Sequence, residues 1–199
     1  SCSSCQSSKT TTNIPTTTAI TSYKQISPEF NADSSYLFVE KQVGFGPRTP
    51  NSAAHIECGD YLVKKLKEFG AEVTEQKTTL KTYDGIALNA RNIIGVYNAE
   101  HKKRVLLFAH WDSRPFADQE KDKTKRTQPI VGANDGASGV GVLLEIARQI
   151  NSSPVDIGID IIFFDAEDWG QPSYERNQVP GDWYCLGSQY WAKNPHTPN

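Results

Sequence analysis

Two runs of apolar residues predict strands in the interior of a sheet. They cover residues 105–109, within the segment RVLLFAH, and residues 159–164, within IGIDIIFFD. A run that does not alternate with polar residues is typical of a strand covered on both faces. Two further strands are predicted from AEVTEQKTTL, in which apolar and polar residues alternate, and from ARNIIGVY.

Helical spacing of apolar residues predicts a helix between the two buried strands. The residues on its buried side are Val140, Leu143, Leu144, Ala147 and Ile150. A second helix, with Asn51 or Ser52 as its N-cap, is expected to end at Gly70, because glycine commonly follows a helix C-terminus. Shorter helices are predicted from the cap residue Asp33 to about Lys41, and over LGSQYWAK.

Strands that alternate with helices predict an α/β fold with helices on both faces of the sheet. We expect residues 105–109 and 159–164 to be neighbouring or near-neighbouring strands, with a helix over residues 136–150 packed across the sheet. In such sheets, ligands bind outside the carboxyl ends of the strands. Functional residues are therefore expected in the segments that follow the strands.

Length and charge exclude several classes of protein. The 199 residues fit one domain, and hydrophobic and charged fractions of 37% and 22% are those of a folded globular protein. A net charge of -2 provides no basic face for nucleic acid. No apolar run approaches the length needed to span a bilayer. We therefore predict neither a nucleic-acid partner nor a transmembrane segment.

Residues 1–28 are rich in serine and threonine, and we predict a disordered tail there, ahead of a folded domain over residues 29–199. With Cys2 and Cys5, this start resembles the tether of a bacterial lipoprotein. That likeness implies an exported, periplasmic or outer-membrane protein with a lipid anchor at an N-terminal cysteine. An ordinary disordered tail or an expression remnant fits the same composition. Cys58 and Cys185 lack zinc-type spacing and are predicted to be structural or free.

Side chains that can bind a metal follow both apolar strands. The first strand leads into His-Trp-Asp-Ser at residues 110–113, and the second leads into Asp-Ala-Glu-Asp at residues 165–168. Between them, the segment GANDG opens the joining helix at residues 132–136. A parallel sheet brings these three segments to one rim, and imidazole together with carboxylates suits zinc. The sequence therefore predicts a zinc site on this rim.

Individual roles on the rim follow from the chemistry of neighbouring side chains. Asp112 can hold the ring of His110 through a hydrogen bond, which is a common arrangement behind a metal ligand. Adjacent carboxylates point to different sides, so one of Glu167 and Asp168 can bind metal while the other transfers protons. Each residue alone has a simpler interpretation, and Asp135 alone is more readily the N-cap of its helix. Their convergence on one rim favours the metal site.

Three segments together carry a resemblance to a known family. FAHWDSRP, GANDGASGVGVLLEIAR and IIFFDAEDWG, in this order and spacing, resemble the zinc exopeptidase superfamily that includes glutaminyl-peptide cyclotransferases. The likeness runs from about Phe30 to the end of the chain and includes GFGPRTPNS and LGSQYWA. It implies a three-layer αβα sandwich with a mixed, largely parallel central sheet.

The resemblance also implies residue roles. Asp135 and Asp168 correspond to zinc ligands, and Glu167 corresponds to the general base or proton shuttle. In two-zinc aminopeptidases of the superfamily, the residue at the position of His110 binds a second metal, with Asp135 bridging and Asp112 behind the histidine. In the cyclases, which use one zinc ion, that histidine is not a ligand.

Several features depart from the family pattern or stay open. Position 168 is aspartate where the family often has glutamate, so the metal would lie closer to the backbone. The family takes a final histidine ligand from a segment that would lie beyond Asn199, and His196 has no matching context. We therefore expect the metal site, and the catalytic domain, to be incomplete in this chain. Trp111 and Trp169 either wall the substrate pocket or pack in the core.

Peptide or protein N-termini are the substrates that the resemblance implies. The segment HWDSRPFAD and the long form of the GAND segment favour a glutaminyl cyclase with one zinc ion, which converts N-terminal glutamine to pyroglutamate and releases ammonia. The first alternative is an aminopeptidase with two zinc ions. The second is a surface protein that binds peptide ends without turning them over.

Overall fold

A computed structural model describes residues 26–197. This part of the chain contains four α-helices and four strands, in the order α-α-β-β-β-α-β-α. The helices are α1 (Ala32–Gly44), α2 (Ala53–Glu68), α3 (Ser138–Ser152) and α4 (Leu186–Lys193). The strands are β1 (Glu72–Lys81), β2 (Ala87–Tyr97), β3 (Arg104–His110) and β4 (Gly158–Phe164). The tail predicted for residues 1–28, its two cysteines and the lipid anchor fall outside the described residues, apart from residues 26–28.

The strands form one mixed sheet in the order β1-β2-β4-β3. The α/β class is confirmed, and so is the pairing of the two apolar runs, because β3 and β4 are parallel neighbours. A largely parallel sheet is not found within residues 26–197, where β1–β2 and β2–β4 are both antiparallel. The connection at residues 82–86 explains the first of these pairings, since a short turn can join only antiparallel strands.

Helices cover both faces of the sheet and make three layers. On one face, α2 and α3 pack against Ile93, Ile161 and Phe163, all fully buried. On the other face, α4 lies over β2 and β4, where the ring of Trp191 meets Phe164 edge-on at 5.7 Å between centroids. The predicted helix across the sheet is thereby confirmed as α3, which contacts β3 directly.

Strand β3 differs from its prediction. All seven residues of β4 are buried, as expected, but β3 is an edge strand with Phe108 63% and Leu106 39% exposed. Only the side that carries Leu107 and Ala109 packs against the core, beneath α3. The free edge of β3 pairs with no further strand within residues 26–197. The expectation of cover on both faces was therefore wrong for this strand.

Polar caps fix where the first two helices begin. Ser52 accepts a hydrogen bond from the backbone N–H of His55 at 3.1 Å and caps α2, as predicted. The cap of α1 is Asn31, whose side chain accepts from the Ser34 N–H at 2.8 Å, and the predicted cap Asp33 lies in the first turn instead. No helix in the described part of the chain is long and apolar enough to cross a membrane.

Candidate metal and catalytic site

The carboxyl ends of β3 and β4 and the segment before α3 meet at one rim of the sheet. His110 lies at the centre of this group. Its Nε2 is 2.9 Å from Asp135 Oδ1, and its Nδ1 is 3.8 Å from Glu167 Oε2. Three side chains that the sequence singles out from three separate segments are thus in contact or nearly so.

Asp135 does not cap α3. The N-cap position is Ala137, which makes no side-chain capping bond, and the Asp135 side chain is 63% exposed. The loop that carries it turns through Gly132 and Gly136, with φ of 61° and 92°. A Cβ atom at Gly136 would lie 2.6 Å from the carbonyl oxygen of Asp112, so only glycine fits this approach. The simpler N-cap interpretation of Asp135 is therefore wrong.

Arg48, from the GFGPRTPNS segment, fixes this loop from beneath. It is fully buried, and its guanidinium donates to the carbonyl oxygens of Trp111, Val131 and Gly132 at 3.0, 2.7 and 2.8 Å. Burial lowers the pKa of Arg48. Sequence reasoning missed this residue, because nothing local distinguishes a buried arginine from an exposed one.

The four backbone N–H groups of residues 165–168 are all hydrogen-bonded. The first two donate to Asn92 Oδ1 at 3.0 Å and to the side chain of Asp165 at 2.7 Å. The N–H groups of Glu167 and Asp168 donate to the two carboxylate oxygens of Asp112 at 3.1 and 3.2 Å. Asp112 is fully buried and lies 3.4 Å from His110 Nδ1, too far for a strong hydrogen bond. Its short contacts are therefore with the acidic segment more than with the histidine.

The four carbonyl groups of residues 165–168 are paired as well. The N–H groups of Gly187, Leu186 and Cys185 donate to the first three at 3.1, 3.0 and 2.8 Å, and Arg114 reaches the fourth at 3.3 Å. These bonds hold Ala166 at a φ of 53°, a left-handed conformation that costs a non-glycine residue about 1–2 kcal/mol. The turn that aims Glu167 and Asp168 is therefore fixed by its surroundings.

A buried pair supports the same turn. His55 Nε2 lies 2.9 and 2.8 Å from the two carboxylate oxygens of Asp165, and its ring stacks on Trp111 at 4.3 Å. Trp111 is fully buried and donates to the carbonyl oxygen of Arg91, so it is a core residue and cannot wall a pocket. Trp169 is 9% exposed and meets Phe116 edge-on at 6.5 Å, which also favours packing.

Charge at the rim shifts several pKa values. Burial disfavours the charged form of His110, but the carboxylates of Asp112, Glu167 and Asp135 outweigh it and raise the pKa of His110 to about 9. Burial raises the pKa of Glu167, and the nearby His110 partly offsets this. Burial also raises the pKa of Asp168 to about 6, against the opposing charge of Arg114. Glu167 is therefore a carboxylate with an increased affinity for a proton.

The free cysteines have different surroundings. Cys58 is buried in the core. Cys185 is exposed, and its thiol donates to Glu167 Oε1 at 3.5 Å. His196 is remote from the rim: it accepts a hydrogen bond from Trp191 and lies 3.5 Å from Asp160, near the start of β4.

The donor types on the rim fit zinc. Asp135 and Asp168 line one cleft of about 390 Å³, together with Arg114 and Phe116. Carboxylate oxygens and the adjoining imidazole of His110 are among the ligands that zinc takes in proteins. Within residues 26–197, however, no three histidine, cysteine or acidic side chains form a cluster ready to hold a metal ion. The described residues thus supply suitable ligands without a complete set.

Family and structure comparisons identify similar proteins. The profile of the family described as Peptidase family M28 matches residues 92–199, slightly more than half of the chain. A glutaminyl cyclase of Bacteroides thetaiotaomicron is 56% identical, with a TM-score of 0.85 over 87% of this chain and 59% of the cyclase chain. A Zn-dependent exopeptidase from Parabacteroides distasonis is 60% identical, with a TM-score of 0.84 over 86% of this chain and 58% of that chain.

A further relative is an aminopeptidase. Aminopeptidase YwaD of Bacillus subtilis is 38% identical over 128 residues, which make up 62% of this chain and 25% of that protein. The chain spans less than two thirds of the length of each of these three relatives.

Proposed function

The chain belongs to peptidase family M28, and we propose that the protein is a zinc-dependent glutaminyl-peptide cyclotransferase. The observation that carries the proposal is the 56% identity to the Bacteroides thetaiotaomicron glutaminyl cyclase across 87% of this chain. Asp135 and Asp168 would hold the zinc ion. When bound, zinc would act as a Lewis acid toward the γ-amide carbonyl of an N-terminal glutamine.

Glu167 is proposed to carry the proton in this reaction. Its carboxylate takes a proton from the α-amine of the substrate, and the amine nitrogen forms a bond to the γ-amide carbon. The bond from that carbon to the amide nitrogen breaks, and Glu167 returns the proton to the departing ammonia. A general base works best when its pKa approaches the working pH, and burial raises the pKa of Glu167 in that direction.

An aminopeptidase is the second candidate. The similarity to YwaD favours it, as does the Parabacteroides distasonis protein, which is described as an exopeptidase. In that case Glu167 would take a proton from the attacking water, and the first peptide bond would be hydrolysed. The same rim serves both chemistries, because specificity depends on the site and not on the fold.

Product analysis separates the candidates. Purified full-length protein with zinc is incubated with one peptide that begins with glutamine and one that begins with leucine. We expect ammonia and a pyroglutamyl peptide from the first and no free amino acid from either. Release of free leucine or glutamine would overturn the cyclase in favour of the peptidase. Binding of both peptides without any product would leave a protein that binds peptide ends.

A further inference from the structure

Arg114 connects the predicted zinc ligand Asp168 to a second carboxylate. Its Nη1 donates to Asp168 Oδ1 at 2.8 Å. Its Nε and Nη2 donate to the two oxygens of Asp118 at 2.9 and 3.0 Å. All three side chains are at least nine-tenths buried, so these bonds are shielded from water. A fork of this kind fixes the guanidinium plane.

Asp118 is itself fixed by the backbone. One of its carboxylate oxygens also accepts the N–H of Ser173 at 2.9 Å. Arg114 further lies over the ring of Tyr184, with its guanidinium carbon 5.6 Å from the ring centroid. The guanidinium therefore stays in place even if the Asp168 side chain rotates. Its hydrogen bond favours a single position of Asp168 Oδ1.

The second oxygen of Asp168 has no such partner. No donor within residues 26–197 is hydrogen-bonded to Asp168 Oδ2, and the carboxylate lines the same cleft as Asp135. Aspartate is one methylene shorter than the glutamate often found at this position, so rotation about its own side-chain bonds reorients the carboxylate less. A hydrogen bond from another residue to one oxygen can set the orientation of the carboxylate instead.

We propose that Arg114 is a positioning residue for the metal site, which holds Asp168 by Oδ1 so that Oδ2 alone is presented to zinc. Asp118 is the anchor that keeps Arg114 in place. This inference rests on the proposed function, because it assigns Asp168 to the zinc ion. Partners that orient a ligating carboxylate typically contribute 10–100-fold in metal affinity.

The test measures zinc affinity directly. Metal-free full-length protein is titrated with zinc in competition with a chromophoric chelator. Arg114→Lys keeps the charge, but one ammonium cannot donate as a fork to Asp118 and also reach Asp168. We expect this variant to bind zinc about 10–100-fold more weakly than the wild type. Asp118→Asn, which retains Arg114 but loosens its anchor, should weaken zinc binding in the same direction by less.

A matched control comes from the ends of β3 and β4 that lie opposite the rim. Arg104 makes an equivalent fork to Asp160, at 2.9 and 2.8 Å. Arg104→Lys should lower the unfolding temperature, measured with chelator present, as much as Arg114→Lys does, and it should leave zinc affinity unchanged. Asp118→Asn alone carries the test if Arg114→Lys does not fold.

Three results would contradict the inference. Zinc affinities within twofold of the wild type in the folded variants would make Arg114 a structural clamp only. Tighter zinc binding in the variants would mean that Arg114 competes with the metal for Asp168. A wild-type protein that binds no zinc would overturn the proposed function together with this inference, and that outcome is distinct from the other two.

Discussion

The acidic residues of the rim are chemically alike, but their neighbours give each a different task. Asp112 is buried and accepts two backbone N–H groups. Asp135 is largely exposed, and His110 is its partner. Asp168 is held by Arg114, whereas Glu167 faces His110 and the thiol of Cys185 over longer distances. Of the adjacent pair, Glu167 is thus held less tightly than Asp168, as the proposed proton transfer requires.

Substitution of Glu167 and of Asp135 should separate the base from the ligand. Glu167→Gln keeps the size of the side chain but cannot accept the proton, so turnover should fall by about 10²–10⁴ while zinc and substrate still bind. Asp135→Ala removes a ligand and should lose zinc. Turnover and bound zinc, measured on the same preparations, check both expectations. A Glu167→Gln protein without zinc, beside an Asp135→Ala protein that retains it, would reverse the two roles.

The acidic residues proposed to bind zinc and move the proton could be located from the sequence, whereas the residues that support them could not. Asp135, Glu167 and Asp168 follow apolar strands or open a helix, and their positions on one rim follow from the order of elements. Nothing local shows which of the 21 lysine and arginine residues would be buried. Arg48 is set by contacts with segments far away along the chain, and Arg114 by distant Asp168 as well as by nearby Asp118, and the distant contacts exist only in the folded protein.

At the scale of elements, the spacing of apolar residues and the helix caps predicted most of the fold. The burial of individual strands was predicted less well. A run of apolar residues indicates that a strand can be buried on both faces. Whether it is buried depends on which elements lie beside it. The neighbours of β4 are β2 and β3, so β4 is buried throughout. The equally apolar β3 has one neighbour in the described part of the sheet and exposes Phe108.

Helices α1 and α3 are joined by one carboxylate, and that link should respond to acid. Glu145 on α3 accepts two bonds from Arg148, one from Gln149 and one from the N–H of Asn31, the cap of α1. The bonds from Arg148 are the main reason that the pKa of Glu145 is lowered to about 2 from its ordinary 4.5. The charged form is thus favoured by folding.

A lowered pKa in the folded state adds stability that is complete above the unfolded value and is lost as pH falls through the folded value. The wild type should therefore be more stable than Glu145→Gln above about pH 4.5, and the difference should shrink toward pH 2. Urea unfolding at a series of pH values measures this. Glu40→Gln, at an exposed position of α1, is the control and should show no comparable trend. A difference that stays constant down to pH 2 would contradict the assigned link.

At the scale of the whole molecule, one rim is compatible with two related reactions. Relatives described as a cyclase, an exopeptidase and an aminopeptidase are all similar to this chain. The residues that would hold the first zinc ion and move the proton serve each of these reactions equally. The discriminating residue is His110, because only the two-metal reaction requires its ring as a ligand.

Zinc stoichiometry therefore tests the proposed function through His110. The ring now pairs with Asp135 at 2.9 Å and lies 3.4 Å from Asp112, so hydrogen bonds and charge can hold it without a metal. For a cyclase we expect one zinc ion per full-length chain, and we expect His110→Asn to retain it, because no ligand is lost. His101→Asn, between β2 and β3, is the matched control. Isothermal titration of the metal-free proteins measures both number and affinity. Two equivalents of zinc in the wild type, with one lost in His110→Asn and none lost in His101→Asn, would identify His110 as a ligand and favour the aminopeptidase.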